Sequence, residues 1–127
     1  MTFLLLIAHA PLATALKAVA EHTFPDCARQ LAVLDVTPDM TADAVEQSAR
    51  ALLTTSGQCE ALILTDVFGA TPCNGAMRLL GPQVGLLCGV NVPMLWRSLC
   101  YADEALAALT LRAAQGGAQG IVPGNCP

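Results

Sequence analysis

Short aliphatic runs alternate along the chain with longer stretches in which apolar residues return every three or four positions. Residues 3–8 (Phe-Leu-Leu-Leu-Ile-Ala) are continuously apolar, the pattern of a strand buried on both faces. Residues 31–36, 61–65 and 84–88 are further short, mostly apolar runs and read as the second, third and fourth strands. Between them the period lengthens. Over residues 11–22, Leu12, Leu16 and Val19 share one helical stripe, and Pro11 suits a first turn. A helix starting at Thr41 carries Asp43 in its first turn and directs Val45, Ala49, Leu52 and Leu53 inward. Residues 71–80 read as a third helix, with Thr71 at the N-cap and Pro72 next. A helical segment follows Pro93, and another covers roughly 102–114. In the Gly/Pro-rich tail only Ile121-Val122 resembles a strand.

Strand alternating with helix predicts an α/β fold: a doubly wound, mainly parallel sheet of four strands flanked by helices, in one domain over residues 1–127. Ligands of such sheets gather at the carboxyl ends of the strands, near a topological switch point. That rule selects three loops. The first strand ends at His9. The third ends at Asp66, followed by Val67-Phe68-Gly69-Ala70-Thr71-Pro72-Cys73-Asn74. The fourth ends at Gly89, followed by Val90-Asn91-Val92-Pro93-Met94-Leu95. Together they offer an imidazole, a carboxylate, a Gly-containing turn into a helix and an amide. A carboxylate bonded to one ring nitrogen fixes the tautomer, so the other nitrogen carries a free lone pair and can act as a nucleophile. The N–H groups at the start of the 71–80 helix, the Thr71 hydroxyl and the Asn74 or Asn91 amides suit an incoming phosphoryl group.

Composition narrows the classes. Of 127 residues, 54% are apolar and only 13% charged, the opposite of a disordered chain. A net charge of −4 with six basic residues lacks the footprint of nucleic-acid binding. The apolar run at residues 3–8 is far short of the ~20 residues of a membrane span, so no direct membrane insertion is expected. No basic residue precedes that run, and His9, Pro11 and Lys17 interrupt its continuation, which argues against a signal peptide. The six cysteines are widely spaced without a CxxC, and most lie in apolar runs. They fit buried thiols in a reducing compartment, so the expected location is cytoplasmic and no metal is expected. Neither a P-loop nor a GxGxxG occurs, and no cofactor is expected.

Each residue also has a plain structural reading. Asp66 can order a turn, Thr71-Pro72 can simply start a helix, and Asn91 can serve a tight turn. His22, near a helix end, reads as structural. Cys73 is an alternative nucleophile, although its only evident base partner is His9. Phe68, Met94 and Trp96 are candidates for an apolar docking surface.

The loops after the third and fourth strands carry a resemblance. Asp66-Val67-Phe68-Gly69-Ala70-Thr71-Pro72-Cys73-Asn74 resembles the D-T-W-G-G-S-P-x-N of the IIA component of the mannose/fructose-type sugar phosphotransferase system, and residues 89–95 resemble its G-V-N-[IL]-P-M-L. The resemblance runs from the first strand to the last helix. It implies a phosphotransferase component in which His9 takes a phosphoryl group on Nε2 from the carrier protein HPr and passes it to a IIB acceptor, with Asp66 holding Nδ1. It further implies that Gly69, Ala70, Thr71 and Asn91 surround the phosphoryl group, and that a C-terminal strand near Ile121-Val122 is exchanged in a homodimer. This chain departs from the family pattern at Ala10, Val67, Phe68 and Ala70, and the first and last of these add methyl groups near the site. The related dihydroxyacetone-kinase phosphoryl donor fits residues 66–74 less well. A stand-alone regulatory protein, signalling its phosphorylation state to partners without sugar transport, is the alternative reading.

Overall fold

A computed structural model describes residues 1–125. Four strands, β1 (Thr2–His9), β2 (Leu31–Val36), β3 (Glu60–Thr65) and β4 (Val84–Cys88), form one sheet in the order β2-β1-β3-β4, every pair parallel. Six helices connect and follow them: α1 (Leu12–Thr23), α2 (Pro25–Ala28), α3 (Ala42–Ser56), α4 (Thr71–Met77), α5 (Val92–Cys100) and α6 (Leu106–Gln119). The continuous apolar run of β1 has the cause expected of it. Leu4, Leu6 and Ala8 belong to one core with α1, α5 and α6, while Leu5 and Ile7 belong to a second with α3 and α4. A parallel strand covered on both faces has no polar side. Among the described residues no helix is long and apolar enough to cross a membrane.

The strand order matters for function. The chain steps outward from β1 to β2, then crosses back to place β3 on the other side of β1. The winding therefore reverses between β1 and β3, and their adjacent carboxyl ends open a crevice there. Ile7 stands opposite Thr65 in that pair, so the residues that follow, His9 and Asp66, emerge side by side.

Several elements differ in detail from the sequence expectation. α1 buries Ala13, Leu16 and Ala20, and leaves Leu12 and Val19 partly exposed, so of the expected stripe only Leu16 lies in the core, flanked by two alanines. The short helix α2, which Pro25 opens, has no counterpart in the sequence expectation. α6 runs to Gln119, straight through Gly116 and Gly117. A Cβ at Gly116 would come within 2.8 Å of Arg97 Cβ, and one at Gly117 within 2.9 Å of Met94 Cε, so the glycines let α5 and α6 approach closely. Met94 is accordingly buried, not part of a docking surface. Ile121 and Val122 are exposed and form no strand within this chain.

Gly75 makes the corresponding contact on the other face. A Cβ there would lie 2.5 Å from Val45 Cγ1 and 3.0 Å from the Ala42 carbonyl oxygen, so α4 rests directly on α3. Gly75→Ala gains helix propensity of up to about 1 kcal/mol, but overpacking of this kind costs about 1–3 kcal/mol. A net loss of about 1–2 kcal/mol is expected in chemical denaturation. Unchanged stability would show that α3 shifts away freely.

Candidate functional site

His9 is the last residue of β1, and its side chain is 52% exposed. Asp66 follows the last residue of β3, with a side chain only 13% exposed. Their contact is the centre of the site. Asp66 Oδ2 lies 2.7 Å from His9 Nδ1 and also accepts the His9 backbone N–H at 3.0 Å. Its other oxygen, Oδ1, accepts the Val67 N–H at 2.9 Å. A carboxylate can only accept, so the ring proton is assigned to Nδ1, which leaves the Nε2 lone pair free.

Burial opposes the charge on Asp66, but the His9 backbone and ring hydrogen bonds, the Val67 N–H and the attraction of the His9 ring outweigh it. The net effect holds the carboxyl below the usual carboxylate range. Asp66 is thus ionised, oriented and able to balance positive charge arising on the imidazole.

The loop after Asp66 places Val67 and Phe68 on the surface, Phe68 being 72% exposed. Gly69 adopts φ 88°, a left-handed conformation that requires glycine in practice. Ala70, not Thr71, is the N-cap of α4: its backbone is extended (φ −95°, ψ 173°), and its carbonyl accepts the Asn74 N–H at 2.9 Å, closing the first turn. Thr71 is the first helical residue, and among the described residues no hydrogen bond engages its hydroxyl. Ala70 and Ala10 both avoid positive φ, so the methyl groups by which they depart from the family pattern bring no backbone strain.

Asn91 has work of its own. Its Oδ1 caps α5 by accepting the Met94 N–H at 2.9 Å, and its Nδ2 donates to the Gly117 carbonyl at 3.0 Å. One amide hydrogen is left over. The Val90 N–H reaches the Thr65 carbonyl at 3.0 Å, which keeps this loop beside the end of β3. Trp96, one turn further, packs edge-on against Phe24 with ring centroids 5.9 Å apart.

Sequence reasoning missed two features of this edge. Asp35, near the end of β2, accepts the Thr14 N–H at 3.1 Å and the Thr14 hydroxyl, anchoring the start of α1. Cys73 and Cys88, one from α4 and one ending β4, bring their sulfurs to 3.5 Å. The parallel order would have placed both cysteines on the same edge, because each follows or ends a neighbouring strand. A cavity of about 950 Å³ lies at the other end of the sheet, where Met1, Thr2, Phe3 and Leu31 line it. Neither His9 nor Asp66 borders it, and the half-exposed ring places their site on an open edge.

Comparison with known proteins bears on this geometry. The family model described as the PTS system fructose IIA component matches residues 3–114. The chain belongs to this family. Membership in the fructose IIA family implies a phosphoryl-carrier role in a sugar phosphotransferase system. The match begins at Phe3 and so includes both His9 and the whole of residues 66–74. Solved structures share the fold. The mannose/sorbose-specific IIA subunit from Enterococcus faecalis is 24% identical with a TM-score of 0.90, over 99% of this chain and 96% of its own. The phosphotransferase system component EIIA from Streptococcus agalactiae is 20% identical with a TM-score of 0.86, over 97% of each chain. The PTS IIA protein associated with the fucose utilization operon of Streptococcus pneumoniae is 18% identical with a TM-score of 0.72, over 94% of this chain and 90% of its own. No curated protein matches the chain.

Proposed function

We propose that this IIA-family protein is a cytoplasmic phosphohistidine carrier in which His9 takes a phosphoryl group from HPr and hands it to a IIB-type acceptor. The single observation that carries this reading is the 2.7 Å contact of His9 Nδ1 with Asp66 on a ring whose side chain is half exposed. Nε2 attacks the phosphorus of the phosphorylated donor; a P–N bond forms on His9 as the donor's P–N bond breaks. The Nδ1 proton stays in place, held by Asp66, which offsets the charge gained by the ring. No base has to remove a proton, and the chemistry is mainly positioning. In this reading Gly69, Ala70 and Thr71 receive the phosphoryl oxygens through backbone N–H groups and the unengaged Thr71 hydroxyl. Asn91 contributes through its remaining amide hydrogen, and mainly by fixing the neighbouring loop.

An open edge suits a reaction between two proteins, because a buried pocket would exclude the donor's own histidine. Phe68 and Val67, exposed beside the couple, suit the rim of that docking surface. The reading takes residues 1–127 as one domain that acts as a homodimer, with the segment around Ile121-Val122 pairing with the partner copy.

Incubation with phosphoenolpyruvate, the general phosphotransferase enzyme and HPr tests it. The expected result is a single mass increase of about 80 Da that is acid-labile and base-stable. A folded protein that gains no mass beside an active HPr would overturn the carrier reading and favour a regulatory binding module.

A further inference from the structure

Behind the His9–Asp66 couple two thiols face each other. Cys73 in the first turn of α4 is buried, Cys88 at the end of β4 is half-buried, and both are free, with sulfurs 3.5 Å apart. Cys88 stands opposite Thr65 in the sheet register, and Asp66 is the next residue along. Among the described residues the buried Thr65 hydroxyl has no hydrogen-bond partner of ordinary geometry. Cys73 lies two residues beyond Thr71, so the pair ties together both segments that leave the site: the loop into α4 and the end of β4.

We propose that Cys73 and Cys88 are a reversible disulfide site, closed by a hydroperoxide, and that closure suppresses phosphoryl acceptance at His9. The second half rests on the carrier reading given above. A disulfide bond of about 2.05 Å asks the sulfurs to close by roughly 1.5 Å from their present separation. In the first step the Cys88 thiolate attacks the peroxide, the O–O bond breaks, and Cys88 becomes a sulfenic acid as water leaves. In the second, Cys73 loses its proton and attacks the Cys88 sulfur; the S–S bond forms, the S–O bond breaks, and a second water leaves. Two thiols are oxidised by two electrons and one hydrogen peroxide is reduced to two waters. Burial pushes the Cys88 thiol up, the Thr65 hydroxyl opposes it, and the Cys73 contact adds to it. With thiolate scarce, the pair is a slow switch and not a peroxide scavenger.

The coupling is geometric. Drawing the Cys73 sulfur toward β4 pulls on the first turn of α4 and thus on Gly69, Ala70 and Thr71. Misplacement of a reacting group by about 1 Å can cost 10²-fold in rate, so a fall of roughly 10- to 100-fold in phosphorylation rate is expected of the oxidised protein.

The test treats the wild-type protein with hydrogen peroxide, removes the peroxide, and maps tryptic peptides without reduction. Arg78 lies between the two cysteines, so trypsin leaves them on separate peptides unless they are bonded. The expected product is a cross-linked peptide pair that dithiothreitol separates and that Cys88→Ser lacks. The oxidised protein is then expected to accept phosphate slowly, to recover on reduction, and in Cys88→Ser to be insensitive to peroxide. Absence of the cross-link, or a cross-link that leaves the rate unchanged, overturns the proposal. If the reduced protein itself takes no phosphoryl group, the carrier reading fails alone. The His9 ring-proton resonance in the two redox states then decides the switch, and an unmoved resonance overturns it.

Discussion

Replacing His9 with alanine is expected to abolish the acid-labile phosphoryl mass, while His22→Ala keeps it in full. The chain has only two histidines, so the pair of variants is exhaustive for this chemistry. They sit in unlike surroundings. His9 ends β1 at the sheet's switch point with a carboxylate on Nδ1, whereas His22 lies in the last turn of α1, away from the carboxyl ends of the strands. Without the imidazole no group on this edge can form a P–N bond: Asp66 offers only oxygens, still held by the His9 and Val67 backbone N–H groups, and the Thr71 hydroxyl has no base in hydrogen-bond contact among the described residues. The loss should therefore be of transfer and not of fold. The ring is half exposed, and the His9 backbone keeps its pairing with β2 and its N–H bond to Asp66 in the variant. The ring's hydrogen bond to Asp66 is lost with the imidazole, so in thermal unfolding His9→Ala should be about 1 kcal/mol less stable than wild type while remaining cooperatively folded. Labelling that survives in His9→Ala but vanishes in His22→Ala would move the acceptor to the end of α1 and dissolve the role given to Asp66.

Much of this architecture was legible because its causes are local. Continuous apolar runs mark strands covered on both faces, and the alternation with helices restricts the sheet to a parallel one whose carboxyl edge collects His9 and Asp66. The departures arise where a residue's fate depends on a neighbour distant in sequence. Thr71 has the chemistry of an N-cap, yet the backbone begins its turn one residue earlier, at Ala70, so that the threonine hydroxyl stays unengaged. Gly116-Gly117 reads as a helix breaker until α5 is known to press against it. Met94 looks like surface and Leu12 like core, and both are reversed by how α1, α5 and α6 pack. Asn91 offers an amide to the site in the sequence, and most of that amide caps α5 and binds the Gly117 carbonyl. The contact of Cys73 with Cys88 depends on the strand order, which periodicity alone does not give.

Asp66→Asn should be the most informative substitution, because it keeps the shape of the site while turning one acceptor oxygen into a donor, so that at least one of the three donors from His9 and Val67 loses its acceptor. Asparagine presents either an acceptor or a donor to Nδ1. When it turns its amide N–H toward the ring, the imidazole proton shifts to Nε2 and the attacking lone pair is lost; when it presents its oxygen, the tautomer survives but the compensating charge is gone. In a serine protease the same aspartate-to-asparagine change behind a histidine costs about 10⁴-fold. His9 acts here as the nucleophile itself and has no proton to pass on, so a loss of about 10²–10⁴-fold in the rate of phosphoryl acceptance is expected. Rapid-quench labelling with phosphorylated HPr measures it; a rate within threefold of wild type would remove Asp66 from the mechanism. Stability gives an independent check. The carboxyl of Asp66 is held below its usual range in the folded protein, because the His9 and Val67 hydrogen bonds outweigh its burial. A depressed carboxyl stabilises the fold fully at pH above its ordinary value of about 3.9, and that contribution disappears as pH falls through the lower folded value. Asp66→Asn lacks the titration, so the difference in stability between the two proteins should shrink as pH is lowered through that window and be steady above it. A difference that instead grew with acid would mean that Asp66 is protonated more readily in the folded state, and the ring would then face a neutral acid in place of the charge that the transfer chemistry requires.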